Sequence, residues 1–507
     1  MVSRVNSSAV IGVDGFLVEV ETDILNGLPS FTIVGLPDKA VDESRERVRS
    51  AIKNSGVDFP VKRITVNLAP SDLPKEGSGF DMPIAISILF ASEQLTSSID
   101  DALFIGELSL NGKFRLTRGV LPAILLAKSL NFKRVFVPKE NIYEASMVAG
   151  IDIYAVESLK DLVLFLDNKK EIEKIESVNF EEIQSESIYD YDLSDIRGQE
   201  AVKRAVEVAV AGGHNILLKG PPGSGKTLIA KTIPSLLPPL SFEEALEVTK
   251  IYSISGLLNG NSFIVNRPFR SPHHTTSYVG LIGGSANPRP GEISLAHRGV
   301  LFLDEFPEFS RNVLESLRQP LEDGVVSISR AKHRISFPAD FMLVAASNPC
   351  PCGYQGDTTR ECICTSQQIL RYQKRLSGPL LDRIDIHVDV PAVKSEKLVG
   401  DENSEKSKEV RVRINKALSY QKSRFIKEKI LTNGQMGAKD IKKYLVLSDE
   451  VKDLMKKASD KLSLSARSFH KVLKVARTIA DLDNSEEIKK DHVLEALQYR
   501  PRTIDNL

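Results

Sequence analysis

A glycine-rich stretch near the middle of the chain has the residue types and spacing of a phosphate-binding loop. Residues 220–227 read GPPGSGKT and fit the pattern G-x-x-x-x-G-K-[ST]. Glycines let backbone N–H groups surround phosphate oxygens, while Lys226 is expected to reach the β- and γ-phosphates and the Thr227 hydroxyl to bind Mg²⁺. The expected phosphate-binding residues are Gly220, Pro221, Pro222, Gly223, Ser224, Gly225, Lys226 and Thr227.

The elements on either side of this loop decide between a nucleotide site and a Gly/Pro turn that carries a surface lysine. The run NILLK at 215–219 predicts a buried strand, and LIAKTI at 228–233 predicts the start of a helix. Strand, loop and helix in this order are the context that the motif requires. The sequence therefore predicts a nucleotide site.

Two further apolar runs end in polar residues that suit the same chemistry. VLFL at 300–303 predicts a central strand, and Asp304 after it is expected to hold Mg²⁺, with Glu305 placed to polarise the attacking water. FMLVAA at 341–346 predicts another strand, followed by Ser347 and Asn348. Asn348 is expected to orient the water or to contact the γ-phosphate.

An arginine follows a short predicted helix farther along the chain, in the run LLDRID at 380–385. At a subunit edge, Arg383 would stabilise transition-state charge on a neighbour's γ-phosphate, an effect of about 10³–10⁵ in rate in well-studied cases. The alternative is a structural arginine paired with Asp382 or Asp385.

Composition sets the broad class of the protein. The chain has 507 residues, with 42% hydrophobic and 26% charged side chains, as in a soluble globular protein of about three domains. The N-terminus lacks the unbroken apolar core of a signal peptide, and no window is long and apolar enough to span a bilayer. We expect a cytoplasmic protein without a membrane partner. Because 67 basic residues balance 67 acidic ones, any polyanion site must be a local basic patch.

The order of predicted elements indicates an α/β fold class with a helical C-terminal part. Residues 1–167 alternate strand-like runs (16–20, 64–68, 134–137) with helical stretches (40–54, 121–130), which predicts an α/β domain. Residues 168–192 are acidic and irregular and predict an exposed linker. A second α/β domain is expected over 193–393, and amphipathic helices over 394–507.

A basic hairpin is predicted between the two site strands. Residues 324–337 read GVVSISRAKHRISF, in which two alternating runs flank a charged tip. Arg330, Lys332 and Arg334 concentrate positive charge that the chain as a whole lacks, which suits a DNA backbone. The alternative is a solvated hairpin without a nucleic-acid partner.

The chain between Thr227 and Asp304 is longer than one helix and one strand require. The 76 residues between them include the glycine-rich run GLIGG at 280–284 and the pair His273 and His274. Loops of this length in a compact domain are usually functional. We do not expect the histidines to bind a metal, because adjacent histidine side chains point apart.

Four cysteines, the only ones in the chain, fall within fifteen residues as Cys350, Cys352, Cys362 and Cys364. Disulfides are not expected in a cytoplasmic protein. Four thiolates suit tetrahedral Zn²⁺, which would order the loop 353–361 beside Asn348. The C-x-C spacing is tighter than the usual C-x₂-C, so reduced structural thiols and a redox switch remain alternatives.

Together these motifs resemble the AAA+ ATPases. The order of phosphate loop, acidic strand end, Asn348, Arg383 and helical lid is theirs, and DIRGQE at 195–200 is similar to the element that opens such modules near the adenine. Arg467, in LSARSF at 464–469, matches their lid arginine. The resemblance implies ATP and Mg²⁺ as ligands, bound at the interfaces of a homo-oligomeric ring that is expected to be a hexamer, with at least one of Arg383 and Arg467 supplied by a neighbour.

Over essentially its whole length the chain resembles the magnesium-chelatase-like AAA+ proteins of the bacterial YifB/ComM family. The segments PHHTTS at 272–277, RPGEISLAHRGVLFLDEFPEF at 289–309 and NPCPCG at 348–353 carry this resemblance. It implies an ATPase and hexameric helicase that promotes branch migration of recombination intermediates during natural transformation, with DNA as partner. Metal chelation is not implied, since that activity needs separate subunits. The alternative is a remodeller of a protein partner, for which the hairpin tip lacks the aromatic residues expected of a polypeptide grip.

The first domain resembles the proteolytic domain of Lon-type proteases. PKEG at 74–77 matches their nucleophile loop, but Gly79 stands where the catalytic serine belongs, and Ser78 stands where they have proline. Leu121 stands where their catalytic lysine belongs. A serine without a positioned base is a weak nucleophile, so we expect a binding or ring-organising domain that lacks the catalytic dyad.

Overall fold

A mixed seven-stranded sheet organises the first part of the chain. The computed structural model describes residues 2–184, 189–258, 263–284, 288–329, 334–357, 360–392, 405–428 and 430–501. The strands of this part are β1 (Ser3–Ile11), β2 (Asp14–Leu25), β3 (Ser30–Val34), β4 (Arg63–Ala69), β5 (Ala102–Phe104), β6 (Glu107–Leu108), β7 (Phe114–Arg115), β8 (Arg134–Pro138) and β9 (Asp152–Val156). Its helices are α1 (Lys39–Asn54), α2 (Asp81–Ala91), α3 (Val120–Ser129), α4 (Ile142–Ala145) and α5 (Leu159–Leu166).

The strand order of this sheet is β3-β4-β2-β1-β5-β8-β9. Strands β1, β2 and β4 pair antiparallel, whereas β3 with β4 and the β1-β5-β8-β9 side pair parallel. Helix α2 is apolar on every side, as its sequence DMPIAISILFA predicts, and it is buried along almost its whole length. The expected α/β domain is thus present, with its predicted strands and helices at the expected places.

The second part is built on a parallel five-stranded sheet. Its strands are β10 (Ile216–Lys219), β11 (Phe269–Arg270), β12 (Gly283–Gly284), β13 (Arg289–Pro290), β14 (Val300–Leu303), β15 (Val325–Ser329), β16 (Arg334–Pro338), β17 (Met342–Ser347) and β18 (Ile386–Asp389). Its helices are α6 (Phe180–Gln184), α7 (Glu200–Gly212), α8 (Lys226–Leu236), α9 (Phe242–Ser255), α10 (Tyr278–Ile282), α11 (Glu292–Leu295), α12 (Arg311–Ser316), α13 (Arg318–Asp323), α14 (Ser366–Gln373) and α15 (Gly378–Leu381).

The order β11-β14-β17-β10-β18 places β17 between the two strands that lead into the site motifs. The inner strands β10, β14 and β17 are largely apolar because both faces of the sheet are covered. Alternate residues divide between two cores: Ile216 and Leu218 face the side with α7 and α8, while Leu217 faces the other core. Since the strands are parallel, the residues that follow β10, β14 and β17 meet at one edge.

The helices of the C-terminal part pack on the first of these cores. They are α16 (Ser407–Arg424), α17 (Ala438–Tyr444), α18 (Asp449–Leu462), α19 (Ala466–Leu482) and α20 (Lys490–Gln498). One apolar cluster contains both Val206 of α7 and Ile479 of α19. Buried His214 joins the two parts, with Nδ1 at 3.0 Å from Asp385 Oδ2 and Nε2 at 2.9 Å from Thr478 Oγ1.

The basic hairpin forms where the sequence predicts it. Strands β15 and β16 pair antiparallel with Ile328 opposite Ile335. Arg330 and Lys332 lie outside the described residues, and of Arg334 only the backbone, at the start of β16, is described. A smaller hairpin, β12 with β13, lies between α10 and α11.

The described residues of the predicted linker are mostly exposed, as its acidic composition indicates, but several apolar contacts attach it to the rest of the chain. Ile175 donates its N–H to Ile153 O at 2.8 Å, which attaches the segment to the edge of the first sheet. Phe180 in α6 packs against Phe242 and Phe263, with ring centroids 5.6 and 5.2 Å away. A few well-spaced apolar residues thus hold this segment against the first sheet and against α9, although its many charged residues predict a segment surrounded by solvent. Among the described residues, no helix combines the length and apolarity needed to cross a membrane.

Candidate active site

The phosphate loop connects β10 to α8 with the backbone geometry that its glycines allow. Gly223 and Gly225 have φ of +76° and +88°, the left-handed region that other residues rarely adopt. A Cβ on Gly220 would lie 2.1 Å from Val390 O, so this position also has no room for a side chain. The Ser224 hydroxyl is buried and has no hydrogen-bond partner among the described residues. Buried polar atoms are normally hydrogen-bonded, so this hydroxyl is available to a bound ligand.

Lys226 lies at the first position of α8 and is only 8% exposed. Its Nζ donates to Gly220 O at 2.9 Å, Pro221 O at 2.8 Å and Asn348 Oδ1 at 3.3 Å. Burial lowers the pKa of Lys226, and the charge of Asp304 opposes this shift. The structure therefore brings together Lys226 and Asn348, which are 122 residues apart in sequence.

The two expected Mg²⁺ ligands are in direct contact. Thr227 Oγ1 donates to Asp304 Oδ2 at 2.8 Å, and Asp304 Oδ1 accepts from the Glu305 N–H at 2.9 Å. A hydroxyl and a carboxylate beside a phosphate loop are the oxygen ligands that Mg²⁺ takes in such sites. These residues fit the ion.

Glu305 is in a left-handed conformation, with φ 50° and ψ 43°, and its side chain is 53% exposed. Its Oε2 lies 3.0 Å from Nδ1 of His274. The sequence predicts the role of Glu305 but not this partner. The one feature of the sequence that could have indicated His274 as a site residue is its position in the long insertion before β14. The expectation that the paired histidines point apart was wrong, since their ring centroids are 4.1 Å apart.

Arg383 and Arg467 meet at a third residue that sequence reasoning missed. Both contact Glu322, at the end of α13; the Arg467 Nη2 to Glu322 Oε1 distance is 3.2 Å. Arg467 Nη1 also lies 3.8 Å from Asp382 Oδ2, and Arg383 Nε is buried without a hydrogen-bond partner in the described part of the chain. Within the described part of the chain, no hydrogen bond or ion pair joins either arginine to the phosphate loop. They line instead a cleft of about 1880 Å³.

The four cysteine sulfurs form one tight cluster. Cys350 Sγ lies 3.4 Å from Cys352 Sγ and 3.6 Å from Cys362 Sγ, and the four ligand atoms, including Cys364 Sγ, lie within 4.8 Å of one another. Tetrahedral zinc with Zn–S bonds of about 2.3 Å separates its sulfurs by about 3.8 Å. Backbone N–H groups also point at the sulfurs, from Cys352 to Cys364 Sγ at 3.4 Å and from Gln355 to Cys350 Sγ at 3.3 Å. The cluster is compatible with a structural zinc.

The loop inside this cluster packs on the phosphate loop. Gly353 has φ +88°, and a Cβ built on it would lie 2.5 Å from Pro222 Cδ and 3.9 Å from Asn348 Cγ. Its N–H donates to Cys350 O at 3.0 Å. The cysteine cluster thus supports both the phosphate loop and Asn348.

The Lon-like region has no serine–lysine pair among the described residues. Ser78 does have a partner, which the sequence did not predict: its Oγ donates to Glu107. The lysine of the same loop, Lys75, is fully buried and donates to Pro70 O instead. Leu121 is also buried, in an apolar cluster that includes Val248 of α9. Leu121, at the position expected for the catalytic lysine of Lon-type proteases, therefore packs between the first and second parts of the chain.

Comparison with known proteins agrees with this architecture. Three family models match: "Magnesium chelatase, subunit ChlI" over residues 192–398, "Subunit ChlI of Mg-chelatase" over 20–141 and "Magnesium chelatase, subunit ChlI C-terminal" over 404–500. Competence protein ComM of Haemophilus influenzae is 46% identical, with 98% of this chain and 97% of the relative covered. The uncharacterized protein YifB of Escherichia coli is 43% identical, with 100% and 98% covered.

A more distant similarity concerns proteases. Lon protease 2 of Bacillus subtilis is 26% identical over 36% of this chain and 38% of its own length. With near-full-length identity above 40% to ComM and YifB proteins, the chain belongs to the YifB/ComM family of magnesium-chelatase-like AAA+ proteins, a family that implies ATP hydrolysis with Mg²⁺.

Proposed function

We propose that this chain is an ATP-driven DNA motor that promotes branch migration of recombination intermediates. The observation that carries the ATPase part is the meeting of Lys226, Thr227, Asp304 and Asn348 at one edge of the parallel sheet. The DNA part is supported by the similarity to a competence protein and by the basic hairpin β15–β16.

Each residue at the sheet edge has one task in ATP hydrolysis. Thr227 and Asp304 would hold Mg²⁺, which would supply positive charge to offset that of the phosphates. Lys226 exchanges its carbonyl partners for phosphate oxygens, and backbone N–H groups from Gly223 onward surround the phosphates. Glu305 accepts a proton from the attacking water.

Asn348 is in a position to report on the γ-phosphate. Its Oδ1 already accepts from Lys226 Nζ at 3.3 Å, so the amide N–H group is left to donate to a phosphate oxygen or to the water. A movement of the Lys226 side chain on ATP binding or hydrolysis would therefore change the hydrogen bond of Asn348, the residue that follows β17.

Arg383 and Arg467 complete the site of a neighbouring subunit in a ring, which we propose to be a hexamer. Their contacts with Glu322 keep them together at a distance from the phosphate loop of their own chain. In the ring, a neighbour's γ-phosphate competes with Glu322 for these guanidinium groups.

Arg330, Lys332 and Arg334 are proposed to contact the DNA backbone from the hairpin. Contacts of this kind are largely independent of sequence and weaken steeply as salt rises, with a slope of about −0.9 per phosphate contact. This suits a motor that moves along any sequence.

The cysteine cluster is proposed to bind a structural zinc. Its sulfur geometry and its N–H donors favour a metal over free thiols. In this position the metal would fix Gly353 against Pro222 and so stabilise the phosphate loop.

The proposed DNA contact is tested by measuring ATPase rate against added DNA at several salt concentrations. A variant with Arg330, Lys332 and Arg334 all changed to Ala is compared with a control in which Lys452, Lys456 and Lys461 of α18 are changed to Ala. We expect DNA to stimulate the wild type and the control, and the hairpin variant to lose stimulation and have a smaller salt slope. A wild-type rate that is indifferent to every DNA, but rises with an unfolded polypeptide, would instead identify a protein remodeller.

A further inference from the structure

Large apolar side chains are exposed on two separate parts of the second half of the chain. On the cysteine loop and the helix after it, Ile363 is 86% exposed and Leu370 of α14 is 43% exposed. In the cleft of about 1880 Å³ beside α16, Ile426 is 80% exposed and Leu431 is 52% exposed. Apolar surface left open beside a cleft indicates a contact with another molecule.

The apolar residues of the cysteine loop are presented from a fixed backbone. Ile363 stands between Cys362 and Cys364, whose sulfurs belong to the tight cluster described above. Helix α14 begins directly afterwards with a capping box, in which the side chains of Thr365 and Gln368 each accept the backbone N–H of the other residue. A rigid surface loses little conformational entropy when it binds a partner, so this loop is well suited to a docking contact.

The two apolar surfaces lie at opposite edges of the parallel sheet. The cysteine loop follows β17 and packs on the phosphate loop, at the edge formed by the carboxyl ends of the strands. The cleft is lined by Asn215, Gly299 and Met342, which precede or begin β10, β14 and β17. Strand β17 has six residues and so spans about 20 Å. The two surfaces therefore do not meet within one chain.

We propose that the cysteine loop of one subunit docks in the cleft of the next subunit, with Ile363 and Leu370 against Ile426 and Leu431. The occupant is thus a second copy of this chain, and in this the inference rests on the ring of the proposed function. Two different surfaces joined head to tail form a contact that a rotation can repeat until a ring closes.

The docking is continuous with the proposed arginine contact. Arg383 and Arg467 line the cleft, and the cysteine loop packs on the phosphate loop through Gly353. A placement that brings the arginines of one subunit to its neighbour's γ-phosphate therefore also brings the cleft to the neighbour's cysteine loop. One subunit contact accounts for both the exposed apolar residues and the arginines that lie away from the phosphate loop of their own chain.

The charges of the two surfaces are of opposite sign. Residues 366–374, which contain α14, include the exposed cations of Arg371 and Lys374 and no acidic side chain. The wall of the cleft at the end of α13 carries the carboxylates of Glu322 and Asp323. When a neighbour's γ-phosphate takes the arginines from Glu322, the cations of α14 can compensate the charge of this carboxylate.

The contact is tested directly by photo-cross-linking in the full chain. Ile363→p-benzoylphenylalanine is mixed with heavy-isotope-labelled wild type, Mg²⁺ and a non-hydrolysable ATP analogue, irradiated and analysed by mass spectrometry. The isotope label distinguishes cross-links between subunits from those within one chain. We expect the probe at position 363 to join heavy peptides that contain Ile426 or Leu431. Cross-links only within its own chain, or only to other parts of the neighbour, overturn the inference. Leu28→p-benzoylphenylalanine is the matched control, because Leu28 is 89% exposed on the first part of the chain.

Substitutions test whether the contact holds the subunits together. Assembly of Ile363→Ser, Ile426→Ser and the double variant is followed by analytical ultracentrifugation over a range of protein concentrations, with Leu28→Ser as control. Each single variant should raise the dissociation constant between subunits by about tenfold or more, as the loss of one buried apolar side chain predicts. The double variant should raise it by less than the product of the two effects, because both residues lose the same contact. Since both side chains are exposed in the single chain, Tm should stay near the wild-type value. Dissociation constants equal to that of the control contradict the docking.

The assembly measurements separate this inference from the DNA motor. If the docking variants weaken assembly while DNA never stimulates the wild-type ATPase, the docking stands and the DNA motor is refuted. If DNA stimulates a ring that assembles equally well in every variant, the DNA motor stands and the docking is wrong. A wild type that stays monomeric with nucleotide at every concentration refutes the docking together with the proposed ring.

Discussion

Substitution of one glycine in the cysteine loop should weaken ATP binding from outside the phosphate loop. Gly353→Ala introduces a Cβ at 2.5 Å from Pro222 Cδ and 2.7 Å from Pro222 Cγ, where carbon atoms normally stand about 3.5–4.0 Å apart. The proline ring is rigid, so the two loops must separate by about 1 Å. Overpacking of this kind costs about 1–3 kcal/mol.

A second glycine in the same loop supplies the matched control. Gly356 has φ +77°, close to the +88° of Gly353, but a Cβ built on it meets no atom of the described residues within 4 Å. Both substitutions thus carry the same backbone strain of about 1–2 kcal/mol, and only Gly353→Ala displaces Pro222.

The measurement is KM for ATP together with the dissociation constant of a fluorescent ATP analogue. If the overpacking falls on the phosphate loop, Gly353→Ala should weaken nucleotide binding by about five- to 150-fold relative to Gly356→Ala. Gly356→Ala should bind as the wild type does, with a slightly lower Tm. Equal nucleotide affinity in the two variants would refute the claim that the cysteine loop supports the phosphate loop.

Three further predictions concern the zinc, the arginines and the buried ion pair. Metal analysis of the purified chain should find about one zinc per chain, and Cys352→Ala should lose it and lower Tm; a metal-free wild type with four freely titrating thiols would contradict this. Arg383→Ala and Lys226→Ala should each lose ATPase activity, with a rate about 10³–10⁵ lower for the arginine variant. If Arg383 serves a neighbour's site, a mixture of the two variants should regain activity. No recovery at any mixing ratio would show that Arg383 acts in the site of its own chain. For Asp385, burial alone would raise its pKa, but the hydrogen bond and charge of His214 and the charges of two lysines lower it below its usual 3.8. Its contribution to stability is therefore complete above that pH and lost as pH falls through the lowered value, so the difference in unfolding free energy between wild type and Asp385→Asn should shrink below about pH 4; an unchanged difference in acid would refute it.

Local patterns in the sequence predicted most of the sheet and the phosphate loop. A strand, a glycine turn and a helix within about twenty residues define the site of Lys226, because phosphate binding requires that local geometry. Alternation of apolar residues likewise located the β15–β16 hairpin, whose register places Ile328 opposite Ile335. In both cases the residues that form the feature are close together in the sequence.

Contacts made between distant elements could not be predicted in this way. Glu322 gathers two arginines, one 61 and the other 145 residues away, and any exposed carboxylate near the end of a helix has the same local pattern. His274 reaches Glu305 only because β11 lies beside β14 in the sheet, which its sequence does not reveal. The docking of the acidic segment through Phe180 also depends on aromatic partners more than 60 residues away.

The first part of the chain shows how a fold can retain its shape while a different residue takes a catalytic position. Leu121 belongs to an apolar cluster with Val248 and Phe263, and its N–H donates to Glu144 Oε1 at 2.7 Å. Glu144 in turn contacts Ser253 of α9. A lysine at position 121 would have to be buried in this interface, so the geometry favours a role in joining the two parts over proteolysis.

The central claim is tested most directly by ATP-driven branch migration of a labelled four-way DNA junction. Wild-type protein is compared with Glu305→Gln, which keeps the size of the side chain and the site for Mg-ATP but removes the base. The account predicts that the wild type converts the junction in an ATP-dependent reaction, and that Glu305→Gln binds the junction without converting it. A wild type that hydrolyses ATP and binds the junction but never moves the branch point would contradict it.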